Sequence, residues 1–313
     1  MSTPRVPLRE ALSDYLALRR ALGFRLHNAA RLLGQFLDYL DRYDLEDVSS
    51  EHALAWAMLP TQSSRHWQAI RISVVRGFAA YLHGIDPDVE VPPTGLISCG
   101  PCRATPYLYS EAEIGALVQA AAGLTPGLRA ATYQSLISLL VISGIRIGEA
   151  IGLDEQDLDL DAGLLVVRHA KFGKHRLVPL HPSAVRALHQ YVTLRKQLCP
   201  PTGSQALFQS TKGTRLLHSN ISLTFARLLE QAAIAHRSAS CRPRIHDLRH
   251  SYAVASVLGW YATGADVPAM MARLSTYMGH TDPKHTFWYL SAAPELMALA
   301  GQRLDAYLTG GAA

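Results

Sequence analysis

The sequence predicts a mainly α protein with one small antiparallel β-sheet, divided into two domains. Apolar residues recur at helical spacing along most of the 313 residues. Only two clear β-rich runs occur, "LLVV" (164–167) and "RLVPL" (176–180), and they flank "HAKFGKH", so they read as a hairpin. A Pro- and Gly-rich stretch over 89–106 interrupts the helical pattern and reads as a linker between residues 1–88 and 107–313.

The first part contains four helical segments. "PLREALSDYLALRRALG" ends at Gly23, a natural C-cap, and "HNAARLLGQFLDYLDRY" follows it. Next come "SSEHALAWAML" and "SSRHWQAIRISVVRGFAAYLHG", each opening on serines that suit an N-cap. The second part starts with "YSEAEIGALVQAAA", where Ser110 and Glu113 have the spacing of a capping box. A long buried helix runs from Thr125-Pro126 to Ser143, residues 157–160 offer a third strand, and helices are expected at 181–198, 219–235, 245–262 and 266–278. Shorter helices are expected near Tyr289 and from Pro294 onward.

Charge narrows the function. The formal net charge is +5, and it is unevenly placed: 10 Lys and Arg oppose 11 Asp and Glu before residue 96, against 20 and 14 after it. The larger part therefore suits a polyanionic partner. No apolar run reaches the length of a membrane span and "MSTPRVPLREALSDY" lacks a signal-peptide core, so a cytoplasmic protein is expected. Cys99 and Cys102 in "SCGPC" have the spacing of a redox pair, but lie in the linker without a βαβ context and read as linker cysteines.

One arginine poses a question. Arg146 stands near the end of "LISLLVISGIRIGEA", one of the most apolar runs in the chain. A guanidinium keeps its charge at any accessible pH, so it needs an anion, either Glu149 three residues on or one arriving from outside. Further on, "RPRIHDLRH" offers His246 with Arg249 one turn later, or His246 with His250 as half of a zinc site. Zinc proteases place glutamate after the first histidine, where this chain has Asp247. Arg65, His66, Arg71 and Arg76 lie on the fourth helix and could face a phosphate backbone.

In order and spacing, Arg146 ("SGIRIGEA"), Lys171 ("KFGKHRLVPL"), His246 and Arg249 ("HDLRH"), His280 ("MGH") and Tyr289 ("FWYL") resemble the six catalytic positions of the tyrosine recombinase, or phage integrase, family. "RLSTYMGHTDPKHTFWYLSAAPEL" looks most like the recombinases of transposons and other mobile elements. The resemblance implies an N-terminal helical core-binding (SAM-like) domain and a C-terminal catalytic domain that together clamp double-stranded DNA at a specific core site. It implies a tetramer on synapsed DNA, with no metal or other cofactor. Tyr289 is then the nucleophile, Arg146, Arg249 and His280 bind the phosphoryl oxygens, and His246 is the base. Lys171 is the general acid, with Lys174 as runner-up, and Glu149 supports Arg146. Competing readings are a type IB topoisomerase, a DNA-binding regulator with an idle site, and a zinc hydrolase.

Overall fold

The computed structural model describes residues 7–24, 26–59, 61–98, 104–168, 175–200 and 202–279, together with Asp282, Thr286 and Gly301. Two compact units result, Met1–Arg103 and Ala104–Ala313. The expected helices near Tyr289 and from Pro294 onward lie outside the described residues, as do Cys99 and Cys102.

The first unit is a helical bundle of α1 (Leu8–Ala21), α2 (His27–Arg42), α3 (Ser50–Met58) and α4 (Arg65–His83). Its core is set by one stripe of α2: Leu32, Leu33, Phe36, Leu37 and Leu40 recur at helical spacing and are all buried. Trp56 of α3 packs edge-on against Phe36, with ring centroids 5.2 Å apart. The serine caps form as expected, Ser49 accepting from the His52 amide and Ser64 from the Trp67 amide. At the end of α1, Gly23 takes the left-handed conformation that stops the helix.

The chain after α4 packs on the first unit. Val89, Leu96 and Ile97 pack on the core of the first unit. Arg76 donates to the carbonyls of Pro92 (2.8 Å) and Pro93 (2.9 Å), and Glu90 accepts from the Ser50 amide. Prolines leave their carbonyls without local partners, so an arginine fork can bind an extended Pro-Pro segment. The proline-rich stretch is thus tied down at least to residue 97.

The second unit is built around α6 (Gly127–Ser143), which packs on α5 (Glu111–Ala122), α8 (Pro182–Leu198) and α10 (Asp247–Thr263). That enclosure explains why "LISLLVIS" is apolar on nearly all sides. The capping box of Ser110 and Glu113 is present at the start of α5. A short helix, α7 (Ile147–Gly152), follows α6, and a 3-10 turn (Glu155–Asp157) leads into the sheet. The three strands, β1 (Leu158–Asp159), β2 (Leu164–Val167) and β3 (Arg176–Pro179), are antiparallel in the order β1-β2-β3. Leu165 faces Val178 in the register and both are fully buried.

Two further helices are α9 (His218–Gln231) and α11 (Val267–Tyr277). The expected end of α9 at 235 is too late. Ala233 adopts a left-handed conformation (φ 53°), Ile234 donates to the Leu229 carbonyl, and its side chain turns back into the core. The helix stop is hidden because alanine fills a position that glycine normally marks. Helices α10 and α11 pair through a second small core of Val254, Val257, Met271, Leu274 and Met278.

Gly144 ends α6 at φ 59°, and a Cβ there would lie 2.4 Å from Cδ1 of Tyr252. Gly144→Ala therefore combines left-handed strain with overpacking and is expected to lower stability by about 2–4 kcal/mol in urea unfolding. Gly148→Ala on α7, where a Cβ meets nothing within 4 Å, should leave stability equal or raise it.

Candidate active site

Arg146 is the N-cap residue of α7, directly after the buried Ile145. Glu149, three residues on, accepts from the Arg146 amide at 2.8 Å and from its Nη1 at 2.9 Å. The Arg146 side chain is 30% exposed, whereas that of Glu149 is 9% exposed. The internal anion is therefore present, and it fixes the arginine at both its backbone and its guanidinium.

Glu149 has a second cation. Arg176, the first residue of β3, donates from Nη1 to Oε1 at 2.9 Å and from Nη2 to Oε2 at 2.7 Å. Burial alone would raise the carboxyl pKa, but the Arg176 fork, the Arg146 amide and the Arg146 charge outweigh it and hold the group at about 2. Arg176 is a site residue that its position in the sequence did not reveal. Strand alternation places residues 176 and 178 on the same face, and Val178 is core, so the signal was a charged residue at an inward position.

Arg249 lies in the first turn of α10 and is 2% exposed. Its Nη1 donates to the Gly144 carbonyl at 2.5 Å and its Nη2 to the Met278 carbonyl at 2.6 Å. Arg146 reaches the next carbonyl, that of Gly279, at 3.3 Å. Gly279 has φ 66°, and a Cβ there would lie 3.2 Å from Arg176 Nη1. The Tyr277 hydroxyl donates to the Ser143 carbonyl at 3.0 Å. The end of α6, the start of α7, β3, the start of α10 and the end of α11 thus meet at one place.

His246 precedes α10 and has one side open to solvent. Desolvation, and then repulsion from Arg249, Arg146 and Arg244, lowers its pKa to about 4, so the imidazole is neutral at pH 7. Asp247, fully buried, receives Arg244 Nε and Nη2 at 2.9 and 2.8 Å. The His246 and His250 rings lie edge to face, 5.1 Å apart, and among the described residues no group of three metal-type ligands occurs. Arg146, Arg176 and Arg249 carry three positive charges against the single charge of Glu149. A cluster of three guanidinia beside one carboxylate suits a phosphoryl group.

Lys171, Lys174, His280 and Tyr289 lie outside the described residues. Of the residues expected to face DNA in the first unit, Arg65 and His66 are exposed at the start of α4. Arg71 is not available. It is 7% exposed, its guanidinium lies 3.7 Å from the Trp56 ring centroid, and its Nη2 donates to the Trp56 carbonyl at 2.7 Å. Arg76 is engaged with Pro92 and Pro93.

Residues 109–295, well over half of the chain, match the model of the phage integrase family. The chain belongs to that family. A protein described as an integrase/recombinase in Sinorhizobium fredii is 40% identical over 304 residues, covering 95% of this chain and 96% of its own. Tyrosine recombinase XerD of Pseudomonas aeruginosa is 30% identical over 307 residues, covering 94% of this chain and 95% of its own. In fold, the chain is similar to the integrase of transposon Tn1549 in complex with transposon right end DNA, with TM-score 0.64 at 18% identity over 96% of this chain and 100% of that one. It is also similar to lambda integrase in a dimer bound to a core site, with TM-score 0.60 at 17% identity over 89% of this chain and 96% of that one. The protein is a tyrosine-type site-specific DNA recombinase.

The His246 shift has a definite sign in this recombinase. Its folded pKa of about 4 lies below the ordinary 6.5, so the folded state binds fewer protons than the unfolded state between those values. Its contribution to stability is complete above pH 6.5 and is lost as pH falls toward 4. Urea midpoints should therefore fall over that window, and less steeply in His246→Asn; Glu149, with its pKa near 2, adds a loss only below its ordinary range near 4.5.

Proposed function

We propose that this recombinase serves a mobile element, cutting and rejoining double-stranded DNA at a specific core site through Tyr289. The observation that carries the reading is the convergence of Arg146 and Arg249 on adjacent carbonyls, those of Gly279 and Met278, beside a neutral His246. Likeness in sequence to an integrase/recombinase and in fold to a transposon integrase supports the mobile-element assignment.

In this mechanism Arg146 and Arg249 bind the non-bridging oxygens of the scissile phosphate, and His280 adds a hydrogen bond. The Tyr289 hydroxyl gives its proton to His246 and attacks phosphorus. A bond forms between the tyrosyl oxygen and phosphorus as the bond to the 5′ oxygen breaks, and Lys171 protonates that oxygen, with Lys174 as the alternative acid. The product is a 3′-phosphotyrosyl link and a free 5′-hydroxyl. The 5′-hydroxyl of another duplex then attacks the link by the reverse route. Bond energy is conserved at each step, so no nucleotide triphosphate is consumed.

Each protomer holds one core-site half, with Arg65 and His66 against the backbone, and four protomers assemble on two duplexes. The protein then resides on DNA in the cytoplasm of a prokaryotic cell.

A nicked suicide substrate tests the chemistry. The wild type should accumulate a covalent protein–DNA adduct in EDTA, and Tyr289→Phe should give none. Arg146→Ala or Arg249→Ala should slow adduct formation by about 100- to 1,000-fold, the scale of losing one oxyanion donor. An adduct formed by Tyr289→Phe, or a strict need for magnesium, refutes the assignment. Deleting residues 294–313 should weaken cooperative assembly on a two-site DNA in mobility-shift titrations more than it weakens binding to one site.

A further inference from the structure

Arg176 has no task in the chemistry just proposed, yet it is built into the site. It occupies the first position of β3, opposite Val167, where the segment containing Lys171 rejoins the sheet. Its side chain is only 12% exposed, against 30% for Arg146, and both of its terminal nitrogens go to Glu149. Arg146 is left with its backbone bond to Oε2 and one guanidinium bond to Oε1.

That division matters electrostatically. A carboxylate facing Arg146 alone would form a neutral pair, and an incoming phosphate would have to compete with it. With Arg176 on both oxygens, one negative charge is spread over two guanidinia. Glu149 can then fix the direction of Arg146 without cancelling its charge. Both terminal nitrogens of Arg176 are already engaged by a carboxylate, which argues against direct contact with DNA. The backbone at Gly279, just before His280, packs against the same Arg176 guanidinium.

We propose that Arg176 is a positioning residue for strand cleavage: it holds both oxygens of Glu149, so that the carboxylate orients Arg146 without neutralising it, and it ties that carboxylate to the root of the segment bearing Lys171. The inference rests on the catalytic reading above.

The test is a double-mutant cycle with Arg176→Gln, Glu149→Gln and the double variant, measured as single-turnover adduct formation on the suicide substrate. Arg176→Gln should slow cleavage on the order of 100-fold, the cost of misplacing a catalytic group by about 1 Å. The double variant should cleave no more slowly than Glu149→Gln alone, since Arg176 acts through that carboxylate. DNA affinity should keep the salt dependence of the wild type, whereas losing a direct phosphate contact would reduce the log–log slope by about 0.9. Thermal unfolding checks that each variant is folded. Arg176→Lys, which keeps the charge but not the fork, should fall between wild type and Arg176→Gln, and it carries the same cycle if Arg176→Gln does not fold. Multiplying losses, a reduced salt slope, or cleavage by Arg176→Gln within twofold of wild type overturns the proposal. If the wild type itself forms no Tyr289 adduct, the catalytic reading has failed instead.

Discussion

The site depends on one buried carboxylate held between two guanidinia. Glu149 stays ionised only because Arg176 and Arg146 repay its desolvation. Removing that charge would leave Arg146, Arg176 and Arg249 facing one another across a partly dry space. The carboxylate therefore permits a cluster of arginines to exist. In the proposed mechanism, a site held together in this way takes up an anion from outside. This is why an arginine can stand at the end of so apolar a run.

Backbone carbonyls supply the remaining order. The last carbonyls of a helix have no partners within it and carry roughly half a negative charge between them. Gly144 closes α6, and Met278 and Gly279 follow α11, so the ends of two helices are turned toward Arg249 and Arg146. Partial charges of this size orient a guanidinium without cancelling it. The glycines follow from the same requirement. Gly144 must turn left-handed under the Tyr252 ring, and Gly279 must pass beside Arg176 with no Cβ between them.

Most of the fold was legible because its signals are local. Helical spacing, the serine caps and the Ser110–Glu113 box act within four residues, and the elements they marked are present. The misses arose where a side chain does something its type rarely does. Ala233 turns left-handed without being glycine. Arg71 shares the stripe of Ile72, Val75, Phe78 and Leu82, a position the spacing assigns to the core, but a charge draws attention away from that pattern. Its stacking on Trp56 is a tertiary contact that no local rule contains. Arg176 escaped for the same reason, since its partner lies on another element 27 residues earlier. The order of the arginines and His246 along the chain was legible, whereas the contacts among them were not.

Those contacts also assign different work to arginine and histidine. The guanidinia are cationic at every relevant pH, so they can hold a phosphate but cannot take a proton from anything. His246, surrounded by them, is neutral in the empty site and has a low affinity for protons. In the proposed mechanism a phosphodiester brings one negative charge beside the guanidinia. The repulsion that suppresses His246 is then partly offset, and its affinity for a proton rises. In the mechanism proposed above, the positive field of the arginines favours the ionised form of the attacking phenol. In that mechanism a bound phosphate strengthens His246 as the acceptor, so the loaded site is a better base than the empty one. Both effects in the proposed mechanism trace to the same arginine cluster.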